Sequence, residues 1–208
     1  MSDCVIGIVG KDYVLLAADA TAAFSIILMK DNEDKILKLD DNKLLAASGE
    51  AGDRVQFTEY IQKNLSLYKF RNDRALSTHG AAHFLRGELA TALRKNPYQV
   101  NMLLAGYDKE IGGSLYYVDY LASMQKVPFG AHGYGSYFVW SILDKYAHLD
   151  MDLDEGIDVL NKCIAEVQKR LLLSTPRFIV KVVDKNGTRE VSLDNSERAK
   201  IQQDKMDA

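Results

Sequence analysis

The chain of 208 residues has few cysteines and no long apolar run. Cys4 and Cys163 lie far apart and belong to no Cys-x-x-Cys motif or Cys/His cluster, so a thiolate zinc site is not predicted. Two unpaired thiols fit a reducing, cytosolic or nuclear compartment. The longest apolar stretches, such as residues 14–18, fall far short of the roughly 20 residues that a membrane span needs. The N-terminus lacks the basic and apolar regions of a signal peptide.

An excess of either charge is also missing, because the net charge is only −3. A mildly acidic chain has no electrostatic reason to bind nucleic acid. The apolar fraction of 47% and the charged fraction of 26% are those of a globular protein. Residues 195–208 contain only Ile201 and Met206 as large apolar side chains. We therefore expect a single domain over residues 1–194 and a C-terminal tail over 195–208 that is mobile or bound to a partner.

The hydrophobic pattern predicts strands, two helices, more strands, two further helices and a closing hairpin. The predicted strands are 4–10, 13–19, 24–29, 35–39, 43–48, 99–108, 114–121, about 122–127, 177–184 and 188–193. The predicted helices are about 53–70, 77–96, 137–146 and 152–173. The glycine-rich segment 129–136 is predicted as a turn that leads into the third helix, and Asn186-Gly187 as a type I′ turn.

Blocks of strands separated by pairs of helices favour antiparallel sheets with helices on their outer faces. The segment 13–19 is apolar on both faces, so we expect it to be covered on both sides. Two sheets stacked face to face, with a helix layer outside each, satisfy both conditions. The predicted fold is a four-layer α/β/β/α sandwich of the α+β class.

Several motifs in order resemble a β-type subunit of the 20S proteasome, and among these its non-catalytic members. The resemblance runs from about Cys4 to Leu193. It rests on VLLAAD (14–19), Lys35, SGEAGD (48–53), AGYD (105–108), LYYVDYL (115–121) and GAHGYGS (130–136). It implies the N-terminal-nucleophile hydrolase fold, which agrees with the four layers expected from the pattern alone.

The resemblance also implies partners and a place of action. We expect stacked seven-membered rings built with other β-type and α-type subunits, regulatory particles reached through the complex, and ATP- and ubiquitin-dependent protein degradation by the whole assembly. The implied compartments are the cytoplasm and the nucleus. No cofactor, metal, nucleic acid or membrane is expected.

In the family's active members, a threonine at the mature N-terminus attacks the peptide carbonyl, and its own α-amine is the base. Counting back from Asp19 in the family pattern places Asp3 at this position. A carboxylate has no hydroxyl proton to lose and would repel the developing oxyanion. We expect the chain to begin at Met1, or at Ser2 after removal of the methionine.

The other family positions are a mixture of matches and losses. The resemblance assigns Lys35 to the lysine that lowers the pKa of the nucleophile and Gly49 to the oxyanion N–H, whereas Tyr134 replaces a serine and Leu171 replaces a second aspartate. The degenerate site therefore comprises Asp3, Asp19, Lys35, Gly49, Tyr134, Leu171 and Ser174, of which Ser174 matches the family serine.

These positions predict a non-catalytic structural subunit in which Asp19 and Lys35 remain as an ion pair. Two alternatives stay open at this point. One is an active N-terminal-nucleophile peptidase or amidase that uses Ser2 or Cys4, and the other is a free-standing binding protein on the same fold. His79 and His83 lie at i,i+4 without an evident third ligand, so we expect no metal there. His132 is expected to bond the backbone.

Aromatic residues are concentrated in one part of the chain. Besides Phe129, eight of them fall within 31 positions: Tyr116, Tyr117, Tyr120, Tyr134, Tyr137, Phe138, Trp140 and Tyr146. We expect some to pack in the core and the others to contact neighbouring subunits, because Tyr and Trp favour interface cores.

Overall fold

The computed structural model describes residues 3–24, 27–171 and 177–193. The strands are β1 (Cys4–Val9), β2 (Tyr13–Asp19), β3 (Ala22–Phe24), β4 (Ile27–Lys30), β5 (Ile36–Asp40), β6 (Lys43–Gly49), β7 (Val100–Asp108), β8 (Gly112–Val118), β9 (Met124–Val127), β10 (Phe129–Gly133), β11 (Phe178–Asp184) and β12 (Gly187–Glu190). The helices are α1 (Ala51–Asn72), α2 (Thr78–Leu93), α3 (Ser136–Tyr146) and α4 (Leu153–Arg170).

The strands form two five-stranded antiparallel sheets and a separate hairpin. The first sheet has the order β10-β1-β2-β11-β12, and the second has the order β5-β6-β7-β8-β9. β3 and β4 pair only with each other within the described residues. In the second sheet every neighbouring pair of strands is consecutive in sequence, whereas in the first sheet β10 and β11 join β1 and β2 from distant parts of the chain.

Three apolar clusters fill the spaces between the layers. The first lies between the outer face of the first sheet and the helices α3 and α4, and includes Ile6 and Leu160. The second lies between the second sheet and the helices α1 and α2, and includes Phe57. The third joins the two sheets through residues such as Leu16 and Leu103. The expected four-layer α/β/β/α sandwich is thus confirmed. Every residue of β2 is buried, because both of its faces are covered.

The helix termini follow their sequence signals. Ser77 caps α2 by accepting a hydrogen bond from the Gly80 N–H. Asp152 and Glu155 form a reciprocal capping box at the start of α4. Such caps satisfy N–H groups that the first helical turn leaves without partners.

Three local predictions were wrong. Residues 24–29 are not one strand, because Phe24 ends β3 and Ile27 begins β4. Most of the glycine-rich segment is not a turn but the strand β10, which pairs with β1. In the closing hairpin only Gly187 has positive φ, at 97°, and Asn186 does not. A type I′ turn needs two such residues, so the loop instead matches a three-residue hairpin with glycine in the left-handed region.

Some predictions fall on residues that the structure does not describe. The tail over 195–208 lies outside the described residues, as do Ser2 and Ser174. The division into a domain over 1–194 and a tail stays a prediction.

Candidate functional site

A buried lysine is the centre of the candidate site. Lys35 immediately precedes β5, and its side chain is 1% exposed. Its Nζ lies 2.7 Å from Asp3 Oδ1 and 3.0 Å from Asp19 Oδ2, and it donates to the Thr21 carbonyl at 2.9 Å. The three ammonium hydrogens therefore all have acceptors. This satisfies the usual condition for a charge buried away from water.

Asp3 joins the two large sheets across this lysine. Its Oδ1 accepts from Lys35, and its Oδ2 accepts from the Gly49 N–H at 3.0 Å. Lys35 comes before the first strand of the second sheet, and Gly49 ends β6 of the same sheet. Asp3 directly precedes β1 in the first sheet. One carboxylate thus takes both the ammonium and the backbone N–H that the sequence analysis associated with the nucleophile and the oxyanion.

Two glycines allow this close approach. Gly49 has φ of 131°, and a Cβ atom there would come within 2.1 Å of the Gln99 carbonyl oxygen. Gly133 has φ of 81°, and its Cβ atom would come within 1.9 Å of the Asp3 carbonyl oxygen. Any other residue at either position would be strained and would also clash with backbone. These glycines therefore fix the position of Asp3 at the junction of the sheets.

Asp19 occupies the opposite side of Lys35. It ends β2, and its Oδ1 accepts from the Cys4 N–H at 2.8 Å. Burial raises the pKa of the Asp19 carboxyl, and the ammonium of Lys35 offsets this only in part. The cluster contains two carboxylates and one ammonium, so it has a surplus of negative charge in a buried place. The predicted Asp19–Lys35 pair is present, and Asp3, which the sequence placed in the same site but not in this ion pair, also bonds the lysine.

Cys4 is not presented to solvent. The residue is completely buried and packs in the cluster beneath α3 and α4. Burial, reinforced by the charge of Asp19, raises the pKa of the Cys4 thiol far above its usual range. Since the thiolate is the nucleophilic form of cysteine, this environment disfavours reaction.

The remaining predicted positions do not converge on Lys35. Tyr134 is exposed and lies on the rim of an open cleft of about 550 Å³ whose floor includes Asp3 and Gly49. Leu171 follows α4 and packs against the cluster between that helix and the first sheet. Ser174 lies outside the described residues. The structure therefore brings together Asp3, Asp19, Lys35 and Gly49 from the predicted set.

Among the described residues, the serine hydroxyls that line the cleft are bonded away from Lys35. Two serines line the cleft, and both donate to main-chain carbonyls. Ser48 bonds the Asn101 carbonyl at 3.4 Å, and Ser136 bonds the Gly133 carbonyl at 2.6 Å. Lys35 is fully engaged by its acceptors, so it is not placed to lower the pKa of either serine. The Lys35 ammonium and the Gly49 N–H, which an attacking residue would need, already donate their hydrogen bonds to Asp3 and Asp19.

The histidines have structural contacts. The Nε2 atom of His132 lies 3.1 Å from the Met102 carbonyl oxygen, and its ring stacks on Tyr117 with centroids 4.0 Å apart. Burial lowers the pKa of His132 to about 4, so the ring is neutral at pH 7. His79 and His83 have centroids 4.3 Å apart. In the described part of the chain they belong to no group of three or more His, Cys, Asp or Glu side chains that could hold a metal.

Comparison with known proteins decides the family. The family model described as "Proteasome subunit" matches residues 1–183. The chain belongs to the proteasome subunit family. It is 59% identical over 188 residues to "Proteasome subunit beta type-2-B" of Arabidopsis thaliana, a match that covers 90% of this chain and 94% of the plant protein.

The chain is also similar, at lower identity, to β-type subunits of other eukaryotes. The chain is 43% identical over 191 residues to "Proteasome subunit beta type-4" of Saccharomyces cerevisiae, with 91% of this chain and 96% of the yeast protein covered. It is also 43% identical over 202 residues to "Proteasome subunit beta type-2" of Trypanosoma brucei brucei, with 92% and 98% covered. These relatives identify a β subunit of the proteasome core, which is a multisubunit assembly for protein degradation. Within the described residues, no helix has the length and apolarity needed to span a membrane.

Proposed function

We propose that this chain is a non-catalytic structural subunit of the proteasome core, equivalent to the fourth β-type subunit of the eukaryotic particle. The observation that carries the proposal is the bonding of Asp3. Its carboxylate stands at the family's nucleophile position and accepts from both Lys35 Nζ and the Gly49 N–H. A residue with no hydroxyl proton cannot form the acyl intermediate of this family's chemistry.

The alternative of an active N-terminal-nucleophile hydrolase has less support. The Cys4 thiol is buried, and its backbone N–H is bonded to Asp19, so the residue belongs to the strand and the core. Ser2 lies outside the described residues, and no observation of the structure favours it. Asp3 already occupies the N–H of Gly49 that an oxyanion would need.

A structural role requires surfaces that neighbouring subunits cover. The β4 strand supplies one, because Ile27, Leu28 and Met29 are all exposed. An isolated two-stranded hairpin is at best marginally stable in water. Contiguous exposed apolar surface of this kind marks a protein–protein contact. This supports assembly with other β-type and α-type subunits in stacked seven-membered rings.

The proposed role extends to the whole particle. The chain acts in ATP- and ubiquitin-dependent degradation by completing the β ring, and regulatory particles reach it only through the complex. Its compartments are those of the particle, the cytoplasm and the nucleus. Native mass spectrometry of a cell extract tests the placement. We expect the chain in complexes with other proteasome subunits, and a stable free monomer as its main form would contradict the proposal.

A further inference from the structure

The cleft above Asp3 has a wall of aromatic side chains that the proposed structural role does not use. The cleft holds about 550 Å³ and lies between the end of β8 and the start of α3. Four aromatic residues on its rim are exposed, and Tyr137 is the most exposed at 79%. The four are Tyr120, Tyr134, Tyr137 and Trp140. Large aromatic side chains left in water around a cavity are the composition of an interface core without its partner.

The deeper wall of the cleft is ordered. The ring of Tyr117 stacks on His132, and its centroid lies 6.5 Å from that of Trp140. Trp140 also packs at 6.2 Å from Phe129. These contacts hold the aromatic faces in place before any ligand arrives. A preorganised wall of this kind loses less conformational entropy on binding.

The charges of the cleft have one sign. Among the described residues that line it, the charged side chains are Asp3 and Asp119, and none is a lysine or arginine. Lys35 lies beneath the floor of the cleft, and its ammonium already donates hydrogen bonds to Asp3, Asp19 and the Thr21 carbonyl. The field in the cleft is therefore negative, which favours a cation.

Asp119 is fixed in a tight loop after β8. Its Oδ1 accepts from the Leu121 N–H at 3.0 Å and from the Ser123 N–H at 2.8 Å. These two bonds do not use Oδ2, so the carboxylate retains acceptor capacity for a further donor. Asn101 lies next to this loop, and its Oδ1 accepts from the Tyr120 N–H.

We propose that this cleft receives an arginine side chain from a neighbouring proteasome subunit, with the guanidinium stacked on the aromatic wall and hydrogen-bonded to Asp119. A guanidinium is planar, stacks on Tyr and Trp faces and donates to a carboxylate at the same time, which an ammonium does less well. Arg, Tyr and Trp are also the residue types that dominate binding energy at protein interfaces. The assignment of the occupant to a neighbouring subunit rests on the proposed function, and the chemistry of the cleft does not.

The chain contains a built-in reporter for this cleft, because Trp140 is its only tryptophan. The first experiment titrates the full-length chain with Nα-acetyl-arginine amide and, separately, with the neutral isostere Nα-acetyl-citrulline amide. We expect a saturable change in Trp140 emission with the arginine probe and an affinity at least about tenfold lower for the citrulline probe. Equal affinities for the two probes would overturn the proposal without any substitution in the protein.

The variant Asp119→Asn tests the carboxylate. Asparagine keeps an Oδ1 acceptor for the two loop N–H groups and removes only the charge, so the loop is preserved. We expect the affinity for the arginine probe to fall at least about fivefold. The matched control is Asp158→Asn, which removes the same charge from an exposed position on α4 outside the cleft and should leave the affinity unchanged. If both variants behave alike, the binding site is not at Asp119.

A second experiment identifies the source of the arginine. The chain is labelled with 5-fluorotryptophan at Trp140 and assembled into the particle with unlabelled subunits. We expect the ¹⁹F resonance to respond to Nα-acetyl-arginine amide in the free chain but not in the particle, since a neighbour already fills the cleft. A response of equal size in the particle would overturn the assignment to a neighbour and leave a site for free polypeptide. Absence of the labelled chain from the particle fraction would instead overturn the proposed function.

Discussion

Replacement of Lys35 by methionine is the most informative perturbation of the buried cluster. Methionine keeps the length and apolar stem of the side chain but leaves Asp3 and Asp19 without their shared cation. Removing one partner of a buried ion pair costs about 3–5 kcal/mol, because an unpaired charge remains in a low-dielectric place. Two carboxylates depend on this ammonium, so we expect the free energy of unfolding to fall by about 5 kcal/mol, which is a large part of a typical folding free energy.

The magnitude is measured by urea unfolding of the full-length chain at pH 7. The matched control is Lys38→Met on β5, whose ammonium pairs with Asp41 at the surface. An exposed pair contributes about 0–1 kcal/mol, so the control should unfold close to the parent. If Lys35→Met falls within about 1 kcal/mol of Lys38→Met, the buried cluster does not stabilise the junction of the sheets.

We also expect replacement of Asp19 to destabilise the protein much less than replacement of Lys35. Asp19→Asn keeps an acceptor for the Cys4 N–H and leaves one carboxylate facing one ammonium. Because burial raises the pKa of Asp19, its charged form is the disfavoured one, and we expect this variant to stay within about 1 kcal/mol of the parent. The deficit of Lys35→Met should shrink as the pH falls, because protonation of Asp19, whose pKa burial raises, removes one of the two unpaired charges.

Three further predictions concern other parts of the chain. Burial lowers the pKa of His132 from 6.5 to about 4, so the free energy of unfolding is fully retained above pH 6.5 and falls by up to about 3 kcal/mol as the pH drops to 4. The urea midpoint of His132→Asn should therefore depend less on pH than that of the parent. The control His148→Asn, at an exposed position, should keep the pH dependence of the parent. Leu28→Asp should leave the unfolding of the free chain within about 0.5 kcal/mol of the parent but reduce its recovery in purified particles, and equal recovery would contradict a covered hairpin. Asp152→Ala should cost about 1 kcal/mol in thermal or urea unfolding through loss of the α4 cap, and no change would show that the capping box is dispensable.

Much of the fold follows from local pattern. The unbroken apolar stretch of β2 required cover on both faces, and the structure supplies it from the sheet–sheet cluster and from the cluster beneath α3 and α4. The helical stripes and the caps at Ser77 and Asp152 fixed most helix bounds. These features depend on neighbours in sequence or on a simple count of apolar faces.

The remaining features depend on contacts between distant residues. The segment of β10 contains two glycines, which weaken strand propensity, and it becomes a strand because β1 pairs along it. The hairpin of β3 and β4 has no apolar alternation that would separate it from one longer strand. Local pattern does not predict the bonding of Asp3 to Gly49 either, because the two residues adjoin different sheets and meet only after those sheets stack; only the family resemblance placed them in one site.

The central claim is that Asp3 replaces the attacking group and leaves this subunit without covalent chemistry. The direct test treats the assembled particle with a peptide vinyl sulfone, which alkylates N-terminal nucleophiles by conjugate addition, and then measures the intact mass of this chain. We expect the unmodified mass for this subunit while active siblings in the same particle gain the adduct. An adduct on this chain, mapped by peptide fragmentation to Ser2 or Cys4, would contradict it.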